Sequence, residues 1–207
     1  MPACPSTATA GEAEKHAYQA SVAAYLKELS GADLVVPQGK GLLIRHAESA
    51  GRKGTPGPSR WVHMDYTPDA ARKWSEWMVD WEAIRGDLYS RFVIFQTWRC
   101  LTPPPCDNTL VLCDASSIDA ADCIPFDACV ALPYDEPGNQ FESQLGKHNA
   151  GQRWYYFSAL EADEMIVFKG FDSAPGWSAQ PMHHSIDLPG EGAPRTSVEA
   201  RFFAYFA

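Results

Sequence analysis

Arg91-Phe92-Val93-Ile94-Phe95-Gln96-Thr97-Trp98 is rich in β-branched and aromatic residues, and comparable short runs follow at 109–113, 128–134, 141–145, 153–157, 165–171, 182–186 and 197–206. Side chains of this kind suit the pleated, half-buried surface of a sheet. Turn-forming clusters separate the runs at Pro103-Pro104-Pro105, Pro137-Gly138-Asn139 and Pro189-Gly190-Glu191-Gly192. Upstream of Arg91 the pattern is mostly helical, apart from short strands at 41–45 and 61–66. Tyr18, Val22, Tyr25, Leu26 and Leu29 recur at three and four residues, with Ser30-Gly31 as a stop signal. Thr67-Pro68-Asp69 supplies an N-cap, a first-turn proline and an acidic first turn to a second helix striped by Trp74, Trp77, Trp81, Ile84 and Leu88. Helices followed by about eight strands predict a mainly β fold with flanking helices. The expected form is an antiparallel jelly roll, the double-stranded β-helix of cupin-like proteins. The tryptophan stripe should pack against the outside of a sheet.

A chain of 207 residues that is 45% hydrophobic supports one well-packed core. Residues 1–10 are small, polar and Pro-containing, so they are expected as a disordered lead-in, and 11–207 as a single jelly-roll domain. Asp and Glu outnumber Lys and Arg by 26 to 17, for a net charge of −9. With no basic run in the chain, this balance argues against nucleic acid and anionic membrane as partners. No apolar stretch approaches the roughly 18 residues of a membrane span. The first residues also lack a charged segment followed by an apolar one. Cytoplasmic residence is therefore expected, and a homodimer is compatible with the composition. The 6 cysteines fit neither zinc-pair spacing nor a small secreted scaffold, so most are expected as buried, reduced residues.

The chemistry concentrates in His63-Met64-Asp65. One residue of separation on an extended segment turns both side chains to the same face. A second histidine pair stands at His183 and His184, and Arg195-Thr196-Ser197 follows. Two histidines and a carboxylate are the ligand set that leaves three positions open on a non-haem Fe(II) ion. Arg195 and Ser197 share one face of the last strand, where a guanidinium fork and a hydroxyl suit an acidic cosubstrate. Arg201 shares that face and is the alternative anchor. The Gly/Pro-rich loop at 51–59 suits a lid over the entrance to such a site.

Several runs occur together and in order: Val62-His63-Met64-Asp65-Tyr66-Thr67, Thr97-Trp98-Arg99, Leu112-Cys113-Asp114-Ala115-Ser116, Trp154-Tyr155-Tyr156-Phe157, Phe171-Asp172-Ser173 and Pro194-Arg195-Thr196-Ser197-Val198-Glu199. From about residue 60 onward the chain resembles the hydroxylase/desaturase family of secondary metabolism. That family includes the fungal gibberellin desaturase and the bacterial cephamycin methoxylation protein. The resemblance implies an Fe(II)- and 2-oxoglutarate-dependent dioxygenase, an oxidoreductase that couples O2-driven decarboxylation of 2-oxoglutarate to hydroxylation, desaturation or epoxidation of a small-molecule substrate. It implies His63, Asp65 and His183 as the catalytic metal ligands, because His183-His184-Ser185-Ile186-Asp187-Leu188-Pro189 aligns with the family's distal histidine stretch. His184 is then a surface or supporting residue. Retention of Asp65 disfavours halogenation, since the related halogenating enzymes lack this carboxylate.

Three positions depart from the family's pattern. Gln96 stands where members have Asn, Cys100 where they have Pro, and Ser116 where they have Arg. Substrate is therefore not inherited by analogy. Tyr66, Trp98 and Arg99 are the candidate substrate contacts, with Lys169 and Asp172 as a further polar pair. Two other functions are compatible with the same three ligands: a divalent-metal hydrolase, which needs no cosubstrate arginine, and a non-catalytic jelly-roll protein that binds a small molecule.

Overall fold

The computed structural model describes residues 11–38, 42–47, 57–129, 140–176 and 180–207. Two antiparallel sheets face one another. In chain order the strands are β1 (Leu34–Pro37), β2 (Leu43–His46), β3 (His63–Met64), β4 (Arg91–Cys100), β5 (Asn108–Cys113), β6 (Cys123–Cys129), β7 (Gln140–Gly146), β8 (Trp154–Tyr155), β9 (Ile166–Asp172), β10 (His183–Asp187) and β11 (Thr196–Phe206). One sheet runs β1-β11-β4-β9, with β2 also paired to β11; the other runs β6-β7-β3-β10-β5-β8. This is the jelly roll expected from the strand pattern.

The longest ladder joins β4 and β11, from Ser197 opposite Cys100 to Phe206 opposite Arg91. Side chains alternate across it. Val198, Ala200 and Phe202 face outward and receive helix α1 (Glu12–Ser30) through Tyr18, Val22, Ala23 and Leu26. Ser197, Glu199 and Arg201 alternate with them and so face the other sheet. β1 and β2 pair in the same direction along one edge of β11, β1 opposite 202–205 and β2 opposite 196–199. The sequence pattern identified β2 and missed β1, whose Leu34-Val35-Val36-Pro37 run shows no apolar-polar alternation and ends in proline.

Helix α2 (Pro68–Trp81) starts as its sequence signals indicate. The Thr67 side chain accepts a hydrogen bond from the Ala70 amide at 3.2 Å, and Pro68 occupies the first turn. Its position differs from the expectation. Trp74 and Met78 pack with Tyr66, Ile94, Phe171, Phe203 and Tyr205, which are inward-facing residues, so α2 plugs one end of the sandwich instead of lying on its outside. The helix also stops at Trp81, where Ala83 takes a positive φ of 51°. Trp81 and Leu88 are consequently exposed, whereas Trp74 is buried.

In α1 the buried face is rotated relative to the expected one. Gln19 and Ala23 are inside, while Tyr25 and Leu29 are exposed. Gly31 ends α1 in the left-handed conformation, φ 69°, with its amide donating to Lys27 O. At Gly146, at the end of β7 beside β3, a side chain would collide with Val62 and Met182, so the close approach there requires glycine. The strand expected at 128–134 begins earlier, as β6; residues 130–134 lie outside the described residues. So do residues 1–10, the turn at 137–139 and most of the loop at 51–59. No helix among the described residues is long and apolar enough to cross a membrane. Cys100 and Cys113 are buried free thiols, and Cys106 and Cys123 are half-buried.

Because α2 closes the end of the core, its buried face should dominate its contribution to stability. Trp74→Ala is expected to lower the unfolding free energy by about 3–5 kcal/mol and Met78→Ala by about 2–5 kcal/mol in urea titrations. Trp61→Ala, at a residue 76% exposed, should change it by less than about 0.5 kcal/mol.

Candidate metal centre

β10 lies between β3 and β5, and the register sets His183 directly opposite both His63 and Leu112. Both histidines therefore face the interior. Their rings approach to 4.4 Å between centroids, tilted by 49°. Each directs Nδ1 toward a backbone carbonyl, His63 to Trp61 O at 2.7 Å and His183 to Pro181 O at 3.4 Å. That leaves Nε2 of both rings pointing to the same place. Asp65 follows β3 and sits below them, its Oδ1 3.4 Å from His63 Nε2 and 3.9 Å from His183 Nε2. One donor atom from each of the three residues lies within 4.8 Å of the others, a spacing one cation can bridge. His184 faces the opposite way, edge-on to Trp154 at 5.2 Å between ring centroids.

The electrostatics favour an anionic carboxylate and a neutral His183, and make His63 the more readily protonated of the two imidazoles. Burial raises the Asp65 pKa, but the Arg201 charge and the two histidines outweigh it and hold the group well below the usual carboxylate range. Burial, together with the neighbouring His63, pushes His183 down to about 4. For His63 burial acts in the same sense, yet the hydrogen bond and charge of Asp65 prevail and the pKa rises. An imidazole must be neutral to ligate a metal, and His183 meets that condition throughout the neutral range.

A narrow cleft extends from the histidines between the sheets; His63, His183, Trp98, Leu110, Arg195 and Glu199 line it. At its far end the Arg195 guanidinium lies 5.4 Å from the centroid of the Trp98 ring and donates to Asn108 Oδ1 at 2.6 Å. The residue is 2% exposed. Burial, only partly offset by the charge of Glu199, lowers its pKa to about 10. Two buried polar atoms, Arg195 Nε and Ser197 Oγ two residues along the same strand face, have no hydrogen-bond partner among the described residues. An unpaired buried donor is costly, and a carboxylate seated here would satisfy both.

Arg201 lies elsewhere on the same face. Its Nε and terminal nitrogen both reach Asp65 Oδ2, at 2.7 and 2.6 Å, so its guanidinium is committed to the triad carboxylate and not to the Arg195 end of the cleft. Among the candidate substrate contacts, Trp98 lines the cleft. Tyr66 is buried in the end plug, stacked on Phe141 with its hydroxyl on Gln38. Arg99 is on the outward-facing side of β4 by alternation, its guanidinium bonded to Ala162 O and lying over Tyr18 of α1. Neither reaches the cleft. Lys169 and Asp172 pair within β9 at 2.7 Å, and Arg91 closes a two-point bond on the same aspartate.

The residue pattern did not single out Arg45 or Asn108. Arg45 pairs with the cleft residue Glu199 at 2.9 Å. Alternation along β11 would have placed Glu199 beside Ser197 and Arg201, whereas nothing in the residues around Asn108 announces its bond to Arg195.

A family model described as an oxidoreductase/YMDC permease-like domain matches residues 7–205. An Fe(II)/2-oxoglutarate-dependent dioxygenase of Aspergillus novofumigatus is 33% identical over 192 residues, 91% of this chain and 66% of the relative. The gibberellin cluster GA4 desaturase of Gibberella fujikuroi is 28% identical over 184 residues, covering 72% of this chain and 51% of its own length. The solved structure of the iron and alpha-ketoglutarate-dependent endoperoxidase NvfI superposes with a TM-score of 0.78 at 30% identity, over 93% of this chain and 70% of that one. The chain spans about half to two thirds of the length of these two curated relatives. It belongs to the oxidoreductase family that this model and these relatives delimit, the Fe(II)/2-oxoglutarate-dependent hydroxylases and desaturases of secondary metabolism.

Proposed function

We propose that this protein is a non-haem Fe(II)- and 2-oxoglutarate-dependent oxygenase that hydroxylates, desaturates or epoxidises a small natural-product molecule. In this reading His63, Asp65 and His183 hold the metal, and Arg195 with Ser197 receives the distal carboxylate of 2-oxoglutarate. The observation that carries it is a two-histidine, one-carboxylate cluster whose histidines line the same cleft as the buried Arg195 guanidinium, with Arg195 Nε and the buried Ser197 hydroxyl both short of partners among the described residues. The donor set fits Fe(II), which takes imidazole nitrogen and carboxylate oxygen together and keeps positions open for other ligands. Bound iron supplies the redox chemistry with O2 that no side chain in the cleft can perform.

The chain's own residues do the positioning. The carbonyls of Trp61 and Pro181 orient the two imidazoles, so that Nε2 and not Nδ1 faces the metal position. Asn108 and the Trp98 ring hold the Arg195 guanidinium from two sides, leaving Nε for an incoming carboxylate. Leu110, Trp98 and Phe168 give the chamber apolar walls, and Phe168 packs edge-on to His183 at 5.1 Å. Walls of that character suit a largely apolar substrate and keep water from the reacting centre. A net charge of −9 favours a small molecule over a nucleic acid.

Anaerobic addition of Fe(II) and then 2-oxoglutarate tests the reading. A visible charge-transfer band is expected only when the keto acid chelates iron, and a hydrolase or a simple binding protein would give none. His63→Ala and His183→Ala should each abolish Fe(II) binding and succinate formation with circular dichroism unchanged, while His184→Ala retains both. Loss with His184→Ala and retention with His183→Ala would reverse the assignment.

Arg195→Ala should raise the 2-oxoglutarate requirement by roughly 10- to 150-fold, the equivalent of about 1.5–3 kcal/mol for a charge-assisted contact, with Fe(II) affinity little changed. Asn108→Ala should lower the unfolding free energy by about 1–3 kcal/mol in urea titration, because it leaves the Arg195 cation buried without its acceptor.

A further inference from the structure

Both Arg201 donors that reach Asp65 go to one oxygen, Oδ2, and the Gln96 side-chain amide donates to that same oxygen. Gln96 is on β4 directly opposite Arg201 on β11, so the two side chains arrive from adjacent strands on one face of the sheet. The amide orientation follows from its partner. A carboxylate only accepts, so the NH2 group must face Asp65, and Gln96 Oε1 is left buried without a donor among the described residues. Oδ1 is the oxygen turned toward both histidine Nε2 atoms.

Arg201 is itself braced. Its terminal nitrogen lies 3.7 Å from Glu199, which pairs with Arg45, and Arg45 also donates to the Gly57 carbonyl at 3.0 Å. Gln96 is held from behind by β9, where a side chain at Gly170 would press on its amide at 3.2 Å.

We infer that Arg201 and Gln96 are positioning residues for the metal centre: they saturate Asp65 Oδ2, so that the carboxylate binds through Oδ1 alone and leaves a further coordination position free. The inference rests on the proposed metal-binding role of Asp65. A carboxylate free to rotate can offer both oxygens to a cation. Three hydrogen bonds on one oxygen remove that option before any metal arrives.

Co(II) serves as the probe, titrated into the full chain under anaerobic conditions and followed by its visible absorption. Gln96→Leu, Gln96→Asn, Arg201→Gln and Arg201→Lys are compared with Thr97→Val, a control on the opposite face of β4. Gln96→Leu, Gln96→Asn and Arg201→Gln are expected to weaken Co(II) binding by about 10- to 100-fold, as loss of a ligand's supporting partner does. Their absorption spectra should shift with the changed coordination. Arg201→Lys, which keeps the charge with one donor group, should recover part of the affinity, and Thr97→Val should match wild type.

Wild-type affinity and spectrum in folded Gln96→Leu and Arg201→Gln would overturn the inference. An equal loss in Thr97→Val would reduce it to a general packing effect and overturn it as well. Where Arg201→Gln fails to fold, the two Gln96 variants decide the matter alone. Failure of the wild-type chain to bind Co(II) or Fe(II) would instead sink the metal-centre reading itself.

Discussion

The pairing of β4 with β11 is the constraint on which the rest of the structure depends. It runs from one end of the sandwich to the other, and its alternation sorts every side chain on both strands into one of two environments. Val198, Ala200 and Phe202 meet helix α1, while Ser197, Glu199 and Arg201 enter the chamber. A slip of one residue would exchange the two sets, burying three polar groups under a helix and turning apolar side chains into the cleft. The hydrophobic outer face thus fixes the register that the polar inner face requires.

Four charged side chains crowd the chamber between the sheets in two linked pairs, Asp65 with Arg201 and Glu199 with Arg45. Buried ion pairs add little net stability, because desolvation offsets most of their attraction. Their value here is geometric: Arg201 holds Asp65 Oδ2 and Arg45 holds Glu199 Oε1, which restricts where each carboxylate faces. Arg195 stands apart from this arrangement. Its charge is buried against a neutral amide and an indole ring, and such an unbalanced cation is readily explained as a site that awaits an anion. In the proposed function the His63, Asp65 and His183 donors would take a cation and the Arg195 guanidinium an anion, at separate positions between the sheets.

Much of this was legible in the sequence where alternation or capping governs. The jelly-roll class followed from short aromatic and β-branched runs punctuated by Gly and Pro, and the face shared by Arg195, Ser197 and Arg201 followed from their even spacing. Thr67-Pro68 marked the start of α2 to the residue. What alternation cannot supply is depth or direction beyond the strand. Tyr66 follows Asp65 directly, yet the chain turns there toward the end plug and takes its ring away from the cleft. Arg99 is next to Trp98, and adjacency on a strand is what sends it outward. The tryptophan stripe identified an amphipathic helix but not which surface it would meet. Asn108 was hidden for a different reason, since its role depends on an arginine brought close only by the folded sheets.

The β4–β11 ladder also has a kinetic side. Arg91 and Phe206, more than a hundred positions apart, meet at its end. Contacts of such sequence separation form late, since a long loop must close before they yield any free energy. During synthesis β4 leaves the ribosome well before its partner exists, with Phe92, Ile94 and Phe95 on an unpaired edge prone to self-association. The last strand both completes the chamber and covers an edge of β4, so in the interval between making β4 and making β11 that apolar edge stays open to pairing with another chain.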